Sequence, residues 1–191
     1  SKRMNVLPDE YNFLIPLKSQ SLNRFGINQD GGYILDEEIL KLSNFLVSFG
    51  MANEFSFEEQ FLDYNKKNKL IIFDYSVGHI QYQAEILKNI RRIIKLKRNL
   101  SDLIICLKNY YNFIKFINRN NVNFYSKKVA NKINTNRDIK IKEIFEDVMK
   151  KNNKNITLKI DIEGSEYDIM DQILDYENII DQIVIEYHDT H

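Results

Sequence analysis

The sequence predicts an α/β domain built on a doubly wound, largely parallel sheet, and three observations carry that expectation. Apolar, β-branched runs of strand length alternate with segments of helical periodicity along the chain. Two of those runs stop abruptly, Phe45-Leu46-Val47-Ser48-Phe49 at Gly50 and Leu70-Ile71-Ile72-Phe73 at Asp74. A third, Ile156 to Ile162, enters a knot of carboxylates, Asp161-Ile162-Glu163-Gly164-Ser165-Glu166. Ligands gather at the carboxyl ends of strands in open α/β sheets, so these three endings are the places to look for chemistry.

At 191 residues the chain is long enough for one domain with a full core and short for two. Residues 1–35 read as a lead-in and hairpin. Pro8 and Pro16 suit an extended opening, and Asp30-Gly31-Gly32 between apolar stretches marks a tight turn. Strand 45–49 is followed by an amphipathic helix over Phe55 to Tyr64, with Phe57, Phe61 and Leu62 inward, and then by strand 70–73. From Ile80 to Asn118 the pattern is helical, divided near Asn99 and Ser101 into two helices. Val122 to Tyr125 reads as a short strand, 131–138 as a polar loop, and 139–149 as a helix. After the acidic turn, Ser165 is placed to cap a helix whose stripe is Tyr167, Ile169, Met170, Ile173 and Leu174. The last strand is expected over Gln182 to His188.

Lys plus Arg and Asp plus Glu each number 27, so no global field recruits nucleic acid or an anionic membrane, and any such partner must use a local patch. One patch exists. The helical insert at 80–120 carries Lys88, Arg91, Arg92, Lys95, Lys97, Arg98, Lys108, Lys115 and Arg119 against Glu85 and Asp102, whereas residues 161–191 hold ten acids and no Lys or Arg. This insert is either a solvated helix face or a dock for an anionic acceptor. Its aromatic residues, such as Tyr110 and Phe113, suit helix packing better than base stacking, so nucleic acid is not expected. The sole cysteine, Cys106, sits in an aliphatic run and reads as a small buried hydrophobe. With no apolar leader and no membrane-length run, the expected setting is the reducing cytoplasm.

Asp161 and Glu163, two apart, project from one side of their strand. The turn Gly50-Met51-Ala52-Asn53 has small residues that let a ligand approach the backbone, and Asp74, 24 residues beyond Gly50, is spaced to accept hydrogen bonds from ribose hydroxyls. A pyrophosphate-cradling glycine series is absent, which favours a nucleoside cofactor without phosphates, such as S-adenosylmethionine, over a dinucleotide. For proton removal the candidates are Asp161, Glu163 and His188, with Asp161 or Glu163 able to fix the imidazole tautomer. His188 can equally be a histidine that only bonds backbone. Asp161, Glu163, Glu186 and His188 can alternatively gather a divalent ion, though no compact ligand motif supports one. His79 and His191 read as structural or solvent-facing.

Arg24-Phe25-Gly26 with Asp30-Gly31-Gly32-Tyr33, Ser48-Phe49-Gly50, Lys159-Ile160-Asp161-Ile162-Glu163-Gly164-Ser165-Glu166, and Ile185-Glu186-Tyr187-His188 together resemble the FkbM-type class I methyltransferases, across roughly residues 24 to 188. The resemblance implies a Rossmann-like fold, S-adenosylmethionine as cofactor, and methyl transfer to a hydroxyl of a sugar or other small metabolite, as in surface polysaccharide or glycoconjugate synthesis. It implies that Gly50, Met51 and Ala52 form the cofactor loop, that Asp74 takes the ribose position, and that Asp161 and Glu163 face the reacting groups. Arg24, Asp30 and Tyr33 would lie near the cofactor mouth and, with Glu186, bind the acceptor, a small molecule or nucleotide-linked sugar. The basic insert lies outside the resemblance. The loop has one glycine where many relatives have two or three, and the chain ends where the family continues with a helix and two closing strands, leaving an edge for the insert or a second subunit to cover. These departures motivate an alternative: a catalytically silent module that engages an anionic glycan or protein through its basic helices.

Overall fold

A computed structural model describes residues 19–28, 31–95, 99–150, 155–162 and 164–188. The expected lead-in up to residue 18, Asp30, Lys97, Arg98, Glu163 and His191 lie outside the described residues. The chain begins with β1 (Leu22–Phe25) and β2 (Tyr33–Asp36), paired antiparallel as the predicted hairpin. There follow α1 (Glu37–Leu42), β3 (Phe45–Phe49), α2 (Ser56–Tyr64), β4 (Lys69–Phe73), α3 (His79–Ile94), α4 (Leu100–Ile117) and β5 (Val122–Tyr125). The two-residue strands β6 (Lys128–Val129) and β7 (Asp138–Ile139) pair with each other before α5 (Ile141–Lys150), β8 (Ile156–Ile160), α6 (Glu166–Leu174) and β9 (Ile180–Ile185) complete the fold.

The central sheet has the order β5-β4-β3-β8-β9, and every neighbouring pair is parallel. From β3 the chain winds outward through β4 and β5, then returns to the other side of β3 for β8 and β9. The winding therefore reverses between β3 and β8, and the crevice above their carboxyl ends is the natural ligand position of such a sheet. Alternation along the strands feeds both faces. Leu46, Leu70 and Ile72 pack with Phe57 and Phe61 of α2 and Phe113 and Phe116 of α4. Val47, Phe49, Leu158 and Ile160 pack on the opposite side with Ile144 and Phe145 of α5 and Ile169 and Ile173 of α6. The hairpin closes the first face through Phe25, Tyr33 and Leu35, and the Gln182 side chain of β9 accepts from the Asp36 amide at 3.2 Å.

Four local expectations are corrected. The strand expected to reach Ile162 ends at Ile160, after which the Asp161 amide donates to the Phe49 carbonyl. β9 starts earlier than predicted and ends at Ile185, so Glu186 and His188 follow the strand rather than belong to it. Ser165 occupies the N-cap of α6 without a side-chain hydrogen bond, and Tyr167 and Leu174 of the predicted stripe are exposed while Ile169 and Ile173 are buried. The helix α1 was not expected at all. It forms because Asp36 accepts from the amides of Glu38 and Ile39 while Glu37 and Glu38 favour its N-terminal end.

Candidate functional site

The turn after β3 is shaped by close approach. Gly50 has φ of +80°, and a Cβ there would sit 1.7 Å from the carbonyl oxygen of Asp161, so only glycine lets the ends of β3 and β8 lie this near. Ala52 is also left-handed, at φ 52°. This bend aims the amides of Met51 and Ala52 at one point, a small anion nest. The anion is the protein's own: Asp74 Oδ2 accepts both, at 2.8 and 2.7 Å. Asp74 Oδ1 accepts from the Ser76 amide, the Ser76 hydroxyl and the Val77 amide. Five donors exceed the roughly four lone-pair positions of a carboxylate. The group expected to meet ribose hydroxyls therefore staples the β3–α2 turn to the β4–α3 turn.

Beneath the same turn lies a charge that the sequence pattern did not single out. Lys159 is 2 % exposed and points to the α2 face of β8, where its Nζ donates to the Gly50 carbonyl at 2.9 Å and to Glu58 Oε1 at 3.0 Å. Glu58 is fully buried, and the same oxygen accepts from Ser48 Oγ at 2.7 Å. Its other oxygen, Oε2, has no hydrogen-bond partner among the described residues. The ammonium also lies 4.9 Å from the Tyr33 ring centre and 3.9 Å from Asp161 Oδ2. A lysine inside an apolar strand demands a partner, and Glu58 falls on the buried helix face with Phe61 and Leu62 at i+3 and i+4.

Above Lys159, four side chains read as candidates from sequence meet, Tyr33, Asp161, Glu186 and His188. The Tyr33 hydroxyl donates to Asp161 Oδ2 at 2.7 Å and lies 3.2 Å from Glu186 Oε2. Burial, reinforced by the two carboxylates, pushes the Tyr33 hydroxyl well above the ordinary tyrosine range, so it stays a donor. His188 Nε2 is 3.7 Å from Asp161 Oδ1, and its Nδ1 is 2.8 Å from Glu166 Oε1. Glu166, with a buried side chain, also accepts the Ile162 amide at 3.1 Å. Burial would raise its carboxyl, but its own backbone amide, His188 and the Ile162 amide outweigh that and hold it below the ordinary glutamate range. An ionised Glu166 can only accept, which assigns the proton to Nδ1 and leaves Nε2 of a neutral ring as the basic nitrogen. The residue fixing the tautomer is thus Glu166, not Asp161.

These groups share one cavity of about 190 Å³, lined by the Gly50–Ala52 turn, Asp74, Asp161, Glu186 and His188, with Glu54, Tyr75, Ser76, Lys127 and Lys128 on its other walls. It opens at the reversal point between β3 and β8. Tyr33 supports two of its acids from below. Arg24 lies outside the cavity lining, where its Nε donates to the Ile27 carbonyl at 3.0 Å and braces the hairpin turn. Asp30 and Glu163 lie outside the described residues. Among the described residues no group of three or more His, Cys, Asp or Glu side chains is arranged to hold a metal ion, and no helix is long and apolar enough to cross a membrane. No protein-family model, curated protein or solved structure matches the chain.

Proposed function

We propose that this chain is an S-adenosylmethionine-dependent O-methyltransferase acting on a hydroxyl of a sugar or glycoconjugate precursor, in surface polysaccharide synthesis. The observation that carries the reading is the cavity at the sheet's reversal point, in which a close-approach glycine turn faces Asp161 and an oriented His188. The donor set fits the cofactor's charges: Asp161, Glu186 and Glu54 suit its cationic centres, and Lys127 and Lys128 suit its carboxylate. When bound, S-adenosylmethionine supplies an electrophilic methyl group on a sulfonium sulfur.

The residues of the Gly50–Ala52 turn, with Asp74 behind them and Asp161 opposite, would hold the cofactor. The cavity is smaller than the roughly 300–1,000 Å³ of typical ligand sites, so a nucleoside would fill it and extend through its mouth. His188 Nε2 takes the proton of the acceptor hydroxyl, and Glu166 holds the ring and stabilises the imidazolium that results. Tyr33 keeps Asp161 and Glu186 in place for the acceptor and the cation.

Isothermal titration with S-adenosylhomocysteine tests the reading directly. A saturating single-site isotherm is expected, weakened at least about ten-fold by Asp161→Asn, which removes one opposing charge. Absence of heat and of any thermal shift in the wild type overturns it. The saturation of Asp74 by protein donors favours a second reading, a catalytically silent fold that binds an anionic glycan or protein partner. Detectable methyl transfer to any sugar hydroxyl excludes that alternative.

A further inference from the structure

The two helices between β4 and β5 each carry more apolar surface than the core uses. α3 buries Tyr82 and Asn89 against the domain, and α4 buries Cys106, Phe113 and Phe116. A second stripe on each points away from these. On α3, Ile80, Leu87 and Ile94 recur every seven residues and are 66 %, 54 % and 76 % exposed. On α4, Leu100, Ile104, Leu107 and Tyr111 follow at i, i+4, i+7 and i+11, all exposed. Such spacing normally marks the side of a helix that is covered.

What flanks the stripes narrows the partner. Lys88, Arg91 and Lys95 lie beside the α3 stripe at helical spacing, and Lys108 and Lys115 beside that of α4. These five cations are exposed, and none has a carboxylate partner among the described residues. Aliphatic side chains bordered by unpaired cations are complementary to a surface that offers hydrocarbon beneath fixed negative charge. A two-fold contact between copies of this face would bring the cations together, and the predominantly aliphatic stripes lack the stacking platform that single-stranded nucleic acid needs.

We infer that the α3–α4 pair is a peripheral docking surface for an anionic lipid bilayer, with the exposed aliphatic stripes dipping into the headgroup boundary and Lys88, Arg91, Lys95, Lys108 and Lys115 meeting lipid phosphates. The helices lie on the bilayer and do not span it. The inference is independent of the methyl-transfer reading, because the surface uses no residue of the cavity.

Co-sedimentation of the full chain with vesicles of phosphatidylcholine and phosphatidylglycerol, 70:30, against pure phosphatidylcholine tests it. Binding to the anionic vesicles is expected, weakened at 0.5 M salt, with little binding to the neutral ones. Arg91→Glu with Lys95→Glu lowers the partition coefficient by more than ten-fold, since each cation at such a surface is worth roughly five-fold. Leu87→Asp with Ile94→Asp does likewise, and both pairs melt like the wild type because the positions are exposed. Failure of the wild type to bind anionic vesicles, equal binding to neutral ones, or undiminished binding by the variants overturns the inference. So does a wild-type dimer in sedimentation equilibrium that Leu87→Asp dissociates, which would assign the face to a second copy.

Discussion

Replacing Lys159 by methionine should be among the most damaging single changes available to this fold, and the reason lies in what it strands. The ammonium is 2 % exposed and is the counter-charge of Glu58, whose side chain is fully buried with Oε2 already lacking a partner. Removing one partner of a buried ion pair costs about 3–5 kcal/mol, because the surviving charge keeps its desolvation penalty and loses its compensation. Against a typical total of about 5–15 kcal/mol, that is a large fraction of the stability. Glu58→Leu should cost a similar amount by leaving the ammonium bonded only to the Gly50 carbonyl and near Asp161. The double variant removes both charges and leaves the Ser48 hydroxyl and the Gly50 carbonyl still bonded to each other at 3.4 Å, so what is lost is at most about 1–2 kcal/mol of weakened hydrogen bonding. It should therefore lose no more than the worse single variant. Urea unfolding of the four proteins, followed by circular dichroism, gives the cycle. Single costs that add to within about 0.5 kcal/mol would refute the argument, since coupled neighbours should depart from additivity by more.

Gly50→Ala should destabilise by more than about 3 kcal/mol in the same assay, because left-handed φ costs about 1–2 kcal/mol and the new Cβ would overlap the Asp161 carbonyl. In a methyl-transfer assay His188→Ala should lower kcat by about 10²–10⁴-fold while leaving the affinity for S-adenosylhomocysteine within about three-fold. Glu166→Gln should shift the pH–rate profile, since the amide cannot stabilise the imidazolium. Glu166 also sets a stability window: its carboxyl is lowered in the fold, so its contribution is present above the ordinary value of 4.5 and lost as pH falls through the folded value. The stability gap between wild type and Glu166→Gln should shrink as pH falls below 4.5, read by thermal melts across acid buffers. Tyr33→Phe should cost about 1–3 kcal/mol by removing the donor shared by Asp161 and Glu186.

Much of the scaffold was legible in the chain because its signals were local. Phe45–Phe49 and Val122–Tyr125 were bounded to the residue, as the punctuation at Gly50 and the turn at 118–121 dictated, and the helical pair broke where Asn99 stands. α1 escaped notice because six residues carry too little periodicity, and β6 and β7 because two residues carry none. Within the site, Asp161, Glu186 and His188 stood out as polar groups at strand ends. Lys159 and Glu58 did not, since a charge in sequence reads as solvent-facing until its register is known, and Glu166 was visible as one acid of the knot without its partner His188. Their roles depend on which strand lies beside which, and pairing Ser48 with Lys159 across β3 and β8 is information that only the sheet supplies. Asp74 was legible as a carboxylate at the right spacing, while the two backbone amides and three further donors that occupy it were not.

The stapling of two turns by Asp74 bears on how fast a ligand can enter. Because the two turns along one wall of the opening are fastened to one another by amides that donate to a shared carboxylate, the shape of that wall is set before any visitor arrives. Capture should then proceed in one kinetic phase whose rate rises linearly with ligand concentration, without the plateau that a slow rearrangement of that wall would impose.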